Sequence, residues 1–391
     1  MRIKVFNGIR VLDLTRVLAG PYCSLILSDL GAEVIKIEPP DEPDPTRNMG
    51  PIWKGMSAYF ISVNRNKKGM TLNLKKEEGL RIFYELVKKS DVVLDNFRPD
   101  VPEKLKIDYE RISKINPKII SCSISSFGSD GPRAHQPAFD LSIQALSGAM
   151  SITGYEGLPP VRMGIPVGDL AGGLFGVIAI SSALYLREKT GKGTRIDLSL
   201  LDCNISLLTY VAQYYFIDGK IPGRIGSSHQ TIVPYQAFKT KDSYIVIAIL
   251  TEKFWEKFVE VIELPWLKNN EKFSTNEERL KNKSELLPIL EKRLEEKTTK
   301  EWLKIFENAE IPCAPVYNVA QALNDEQVKH RNMIEEINGL KVLGNPLRME
   351  GIDSGEFLLP PQHGEHTEEI LKNLLGMNDP EIKKLKEEGV I

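Results

Sequence analysis

In MGIPVGDLAGGLFG, residues 163–176, a single carboxylate, Asp169, stands among glycines at the head of a long uncharged run. Two roles fit it. An aspartate just before an apolar helical run is a common N-cap, because its carboxylate accepts the unpaired N–H groups of the first turn. The same placement suits catalysis. A helix N-terminus favours an anion and should keep Asp169 ionised at neutral pH, and an ionised carboxylate on a turn can be a covalent nucleophile. Gly168, Gly172 and Gly173 carry no Cβ, so a bulky ligand or a second backbone can approach closely. Position alone leaves both roles open.

Other chemistry-bearing residues gather in a few stretches. NRNKKGMTLNLKK (64–76) is basic and leads into a strand, and DNFRPDVPEKLKI (95–107) follows a strand end with Arg98 and Lys104 nearby. Such cations can grip a polyphosphate; taken singly, each is equally an ordinary solvated surface charge. GRIGSSHQTIVPYQAF (223–238) holds a glycine-serine loop with His229, and reads either as a mobile lid over a reactive intermediate or as an interdomain linker. The four cysteines, Cys23, Cys122, Cys203 and Cys313, are far apart and form no CxxC. With five scattered histidines they make neither a metal site nor a disulfide framework, and they read as buried small hydrophobes.

The elements that must position these residues alternate. RVLDLT (10–15), EVIKIEP (33–39), GMTLNL (69–74), DVVLDNF (91–97), KIISCSISSFG (118–128) and TRIDLSL (194–200) read as strands. Residues 19–32, 75–90, 101–117 and about 169–188 read as helices between them. Strand–helix alternation with short links implies a parallel sheet flanked by helices, an α/β fold whose ligands sit beyond the C-terminal strand ends. The loops after Thr15, Glu38, Asn96 and Ser126 should therefore line the site. No GxGxxG follows the first strand, which counts against a nicotinamide dehydrogenase. From residue 235 the character changes to two strands and charged amphipathic helices, a candidate α+β domain. The expected organisation is a large Rossmann-like first part (1–200), a linker (201–224), a small domain (225–315), and a linker with C-terminal helices (316–391).

Composition bounds the rest. The chain has 391 residues, 42% hydrophobic and 27% charged, with net charge -2, so neither wholesale disorder nor nucleic-acid binding is expected. The N-terminal MRIKVFNGIRVLDLT lacks an apolar signal core, which points to the cytoplasm. The run Leu170–Leu186 is slightly short for a membrane span and is interrupted by glycines and serines, so a buried helix is expected there, and no membrane partner.

Nine pieces, in order along essentially the whole chain, resemble a family III CoA-transferase, the group of formyl-CoA and carnitine CoA-transferases. They are VLDLTRVLAGPYCSLILSDLGAEVIKIEPP, NRNKKGMTLNLKKEEG, DVVLDNFRPDV, SFGSDGP, GDLAGG, PYQAFKTKD, IPCAPVYNVAQALND, NPLRM and GEHTEEIL. The resemblance implies an interlocked, ring-like homodimer, with a Rossmann-like, CoA-binding large domain built from both chain ends and a smaller domain inserted. It implies no permanently bound cofactor and no metal, with coenzyme A entering as acyl-CoA substrate. It makes Asp169 the nucleophile, forming first an acyl-aspartyl anhydride and then an aspartyl-CoA thioester. Matched CoA-binding positions are Val17, Leu18, Leu72, Asn73, Leu74, Lys75, Asn96, Phe97, Arg98 and Lys104. Asp140 matches an acidic active-site position, and Phe139, Met163, Tyr59 and the loop Gly226, Ser227, Ser228, His229, Gln230 are candidates to line the acyl pocket. The family's run of loop glycines is reduced here to Gly226. Two basic CoA contacts of formyl-CoA transferases are replaced by Pro39 and Pro137, for which Arg16, Lys36, Arg65 or Lys67 could compensate. A substrate-binding glutamine is replaced by Leu18, which argues against formyl-CoA and oxalate as the natural pair. Succinyl-CoA, a common donor among relatives, is the candidate donor.

Two alternatives differ in chemistry. An α-methylacyl-CoA racemase of the same fold needs a second acid–base group opposite the aspartate; where racemases carry a histidine this chain has Phe139, which cannot move a proton. A non-catalytic CoA-binding scaffold would have no need of Asp169 beside Gly168.

Overall fold

A computed structural model describes residues 4–351 and 357–391. Residues 1–3, at the head of the N-terminal stretch, and 352–356, in the C-terminal segment, lie outside the described residues. The chain divides into two units: Met1–Ala149, Arg162–Gly219 and Asn332–Ile391 make the first, and Met150–Val161 with Lys220–Arg331 make the second.

The first unit is mixed α/β around a parallel sheet. Its strands are β1 (Arg10–Asp13), β2 (Glu33–Glu38), β3 (Lys68–Thr71), β4 (Val92–Asp95), β5 (Ile120–Ser125) and β6 (Arg195–Ser199). They lie in the order β3-β2-β1-β4-β5-β6 with every pairing parallel. This is the doubly wound dinucleotide-binding order, which reverses between β1 and β4 and opens a crevice at their C-terminal ends. The strands are apolar at successive positions because both faces are covered. Alternate residues go to opposite sides: Leu12, Ile35 and Ile37 join one core with Phe83, Leu86 and Ile112, while Val11 and Val34 join the other with Cys23, Leu27 and Ile180. Ile370, Leu371, Ile382 and Leu385, from the helices Thr367–Leu375 and Asp379–Glu387, complete the first of these cores.

One local prediction needs correction. Residues 101–117 are not one helix: Lys106, in the left-handed region at φ 59°, separates Asp100–Lys104 from Tyr109–Ile115. The segment before β3, which carries no strong periodicity, holds the helix Ala58–Asn64, capped by the Ser57 hydroxyl.

Helix α1 (Ala19–Asp29) and helix α6 (Val167–Thr190) cross on one face of the sheet. The glycines of α6 allow their close approach. A Cβ on Gly173 would stand 2.8 Å from the Ala19 carbonyl oxygen, one on Gly176 2.9 Å from Cys23 Sγ, and one on Gly172 2.2 Å from Leu200 Cδ2. Of the two readings of these glycines, room for a bulky ligand or for a second backbone, the second holds at Gly173, while the Leu200 side chain fills the space at Gly172. By length and composition α6 could also cross a membrane. Ala171, Ile180, Ala183 and Leu184 are buried in the unit, whereas Leu174, Ile178, Tyr185 and Leu186 stay exposed, so the helix is half-buried rather than buried throughout.

The second unit is built on an antiparallel sheet of β7 (Tyr235–Lys239), β8 (Tyr244–Ala248) and β9 (Cys313–Pro315) in the order β9-β8-β7. Its core stacks Trp302 on Phe306, ring centroids 5.3 Å apart, beside Phe258 and Trp255.

Candidate active site

Asp169 is the third residue of α6, not its cap. Pro166 occupies the cap position and offers no side-chain acceptor, so the first-turn N–H groups need an outside partner. Asp140 supplies it. This buried residue opens the helix Asp140–Leu146, and its Oδ1 accepts the N–H of Gly168 at 2.8 Å and that of Asp169 at 3.3 Å. Gly168 has room for this and no more, since a Cβ there would lie 2.8 Å from Asp140 Oδ1. The other oxygen, Oδ2, accepts from Gln144 Nε2 at 2.7 Å, and Gln144 Oε1 in turn takes the N–H of Met163 at 2.9 Å. Gln144 thus ties Asp140 to the segment leading into α6. The sequence signal for it is the four-residue spacing Asp140–Gln144 on one helix face.

This arrangement changes the expected charge of Asp169. Burial, and then the neighbouring Asp140 carboxylate, push its pKa up to about 7. The helix N-terminus does not hold it as a plain anion, because Asp140 already occupies the N–H groups that would stabilise it. Among the described residues, no hydrogen bond is donated to the Asp169 carboxylate. A half-buried carboxylate that is desolvated, next to a like charge and without a donor is a strong nucleophile once ionised. Burial, with Asp169, Asp44 and Asp140 nearby, pushes the Tyr59 phenol up, so Tyr59 stays a hydrogen-bond donor near the site.

The matched CoA positions gather at C-terminal strand ends of the same unit. Val17 and Leu18 follow β1; Leu72, Asn73, Leu74 and Lys75 follow β3; Asn96, Phe97 and Arg98 follow β4, with Lys104 one short helix further on. Asn96 joins two of these loops: its Oδ1 accepts the Arg16 N–H at 2.9 Å and its Nδ2 donates to the Arg16 carbonyl at 2.7 Å. Phe97 N–H donates to Asp95 Oδ1 at 3.1 Å, and Lys75 N–H to Asn73 Oδ1 at 3.1 Å, so both neighbouring turns are closed by side chains. Arg98, Lys75 and Lys104 are exposed, Lys104 in an ion pair with Asp100.

Three of the four proposed replacement cations are committed elsewhere. Lys36 is fully buried on Asp44 at 2.9 Å, Lys67 is fully buried on Asp13 at 3.1 Å, and Arg65 is buried on Asp29 at 2.5 Å. Only Arg16, paired with Glu42 and partly exposed, is left to meet an anion.

The 226–230 loop belongs to the second unit. Gly226, at φ 65°, donates its N–H to the Gly154 carbonyl, Ser227 Oγ accepts from Ala237 N, and Ser228 Oγ donates to Gln236 Oε1. His229 packs on Tyr235 with centroids 5.3 Å apart, and its Nδ1 accepts the Thr231 N–H. Ser228, His229 and Gln230 line a cavity of about 650 Å³ with Tyr155, Arg224 and Lys283. Phe139 is three-quarters exposed at the start of the Asp140 helix.

The sequence profile of CoA-transferase family III matches residues 6–367. The chain is similar to the succinyl-CoA:glutarate CoA-transferase of Mus musculus, at 42% identity over 395 residues, covering 100% of this chain and 91% of the relative. It is similar also to the acetyl-CoA:oxalate CoA-transferase of Acetobacter aceti, at 42% identity over 349 residues, covering 89% of this chain and 90% of the relative. Among solved structures, a CAIB/BAIF family protein from Brucella suis superposes with a TM-score of 0.87 at 36% identity, over 94% of this chain and 99% of the other.

Proposed function

Because the chain belongs to CoA-transferase family III and is a CoA-transferase, we propose that it moves CoA from succinyl-CoA to a short dicarboxylic acid through Asp169. The Asp169 carboxylate attacks the thioester carbonyl, and CoA leaves as the thiolate. The resulting acyl-aspartyl anhydride is attacked at the aspartyl carbonyl by that thiolate, which frees the donor's carboxylate and leaves an aspartyl-CoA thioester. The acceptor carboxylate attacks this thioester and forms a second anhydride. The thiolate then takes the acceptor's acyl group and returns Asp169 as carboxylate. A thioester is exchanged for a thioester, so neither ATP nor a metal is needed; the protein must hold the partners and keep water from the anhydride.

The observation that supports this reading is the half-buried Asp169 carboxylate, to which no hydrogen bond is donated among the described residues, on a helix packed against α1, the helix that follows the matched positions Val17 and Leu18. The donor is taken from the glutarate-type relative, and the dicarboxylate class from both named relatives. Incubation with succinyl-CoA followed by mass spectrometry of the peptide around Asp169 tests it. A succinyl or CoA adduct on Asp169 is expected. Exchange of deuterium at the substrate α-carbon without an adduct would establish racemase chemistry, and binding with neither would establish a scaffold. A panel of acceptors should place glutarate-sized diacids above monocarboxylates.

The assembly we propose is an interlocked homodimer. Leu174 and Ile178 on α6, with Phe216 and Ile217 on the helix Thr209–Asp218, are exposed apolar residues, the last two about three-quarters so. A surface of this kind needs a cover. Light scattering should give twice the chain mass of 44.0 kDa; a monomer at micromolar concentration overturns the assembly.

A further inference from the structure

Val17 stands in the left-handed region, at φ 69°. For a β-branched residue that conformation is a true outlier, and it persists only where surrounding contacts over-determine it. Those contacts are on hand. Asp44 is fully buried, and its carboxylate receives the Val17 N–H at 3.3 and 3.4 Å to its two oxygens. Lys36, also fully buried, donates to Asp44 Oδ2 at 2.9 Å and to the Thr15 carbonyl at 2.8 Å. Asp44 is itself fixed by the Thr46 hydroxyl at 2.7 Å and the Thr46 N–H at 3.0 Å, while its own N–H donates to Glu38 Oε1 at 2.8 Å. Burial alone would raise its pKa, but the Lys36 ammonium and the Thr46 hydrogen bonds outweigh that and hold it below the usual carboxylate range. The turn between β1 and α1 is thus gripped at Thr15 and at Val17 from beneath, and at Arg16 by Asn96 from the side. No glycine takes the strained position, although glycine would adopt it without cost.

We propose that Asp44 and Lys36 are positioning residues for acyl-CoA, clamping the turn Thr15–Leu18 in one strained shape so that it meets the coenzyme already formed. This rests on the reading that Val17 and Leu18 contact CoA. The strain serves a purpose there. A turn held in its bound shape loses no conformational freedom when the ligand arrives, and the affinity gained is what the clamp contributes.

A double-mutant cycle on steady-state kinetics tests it. Asp44→Asn keeps the shape of the side chain but removes the charge that Lys36 holds. In the native background it should raise the KM for succinyl-CoA about tenfold and leave kcat within about twofold. In the Val17→Gly background the left-handed turn is unstrained, so the same substitution should raise KM less than about threefold. A role limited to stability would lower the active fraction, and with it apparent kcat, without moving KM; an unchanged KM in Asp44→Asn therefore overturns the proposal, as does a rise in KM by the same factor in both backgrounds. Arg98→Glu, exposed and away from the clamp, separates the two levels. If it leaves the KM for succinyl-CoA unchanged, CoA does not bind at these strand ends and the proposal falls with that reading. If it raises KM while Asp44→Asn does not, the clamp alone is wrong.

Discussion

Replacing Asp169 with alanine should abolish CoA transfer, by about 10⁴-fold or more in kcat, if Asp169 carries the covalent intermediate as proposed. Affinity for CoA should stay within a few-fold, because the positions matched to CoA binding lie on the loops after β1, β3 and β4. Calorimetric titration with CoA beside a transfer assay checks both halves. Retained activity in Asp169→Ala would end the covalent mechanism. Alanine is the variant that reads the nucleophile, since deamidation in Asp169→Asn would restore the aspartate.

The same carboxylate should set the acid limb of the pH profile. Only the ionised form attacks a thioester, so kcat/KM should fall about tenfold per pH unit below an apparent pKa near 7. Asp140→Asn removes a like charge and should move that limb toward lower pH. It should not return it to the range of an exposed aspartate, because burial is the larger cause of the shift. Stability should show the opposite sign. With a folded pKa of about 7 against an unfolded value near 3.8, folding takes up a proton between those values. Asp169 therefore erodes stability as pH rises through that window and costs most above pH 7, by linkage at most about 4 kcal/mol. Asp169→Asn should accordingly be more stable than the native chain to urea at pH 8, and the difference should shrink at pH 4.

What was legible in the sequence follows the physics of each feature. The parallel strands announce themselves as short apolar runs, because EVIKIE, VVLD and ISCSIS are buried on both faces. The break at Lys106 was not visible, since one left-handed residue leaves the helical pattern on either side intact. Asp169 could be singled out by its glycines and its place before an apolar run. Its charge could not, because the residue that captures the helix N-terminus and repels it, Asp140, lies 29 positions earlier. The cations show a different limit. Lys36 sits in the middle of an apolar strand, and that position is itself the sign of a buried, paired ammonium rather than a phosphate grip. In the same way Gly172, Gly173 and Gly176 fall on the α6 side that faces α1 and Leu200, which marks helix packing before it marks ligand space.

The largest stability effect should come from Asp13, at the end of β1. Its side chain and that of Lys67 are fully buried, 3.1 Å apart. Asp13 Oδ1 also accepts the Thr15 N–H at 2.9 Å and the Thr15 hydroxyl at 2.5 Å, and Oδ2 accepts from Ser24 Oγ at 2.6 Å. Lys67 Nζ donates further to Asn64 Oδ1 at 2.8 Å and the Pro21 carbonyl at 3.1 Å. Every acceptor and donor is used, so removing one partner leaves the other desolvated and uncompensated. Asp13→Ala should cost about 3–5 kcal/mol, read as a lower urea midpoint and a fall in Tm on the order of 10 °C. Adding Lys67→Met should recover much of that loss, because an apolar side chain of similar length has no charge to strand. If the two losses simply add, the pair is not coupled and the account is wrong. The pH dependence gives a second check. Burial lowers the Lys67 pKa to about 8, and the Asp13 carboxylate is what keeps it from falling further. Without Asp13 the folded value drops below 8 while the unfolded value stays near 10.5. The unfolded chain then binds the extra proton over a wider range, so the stability of Asp13→Ala should climb with pH from below 8, where the native chain begins to climb only above it.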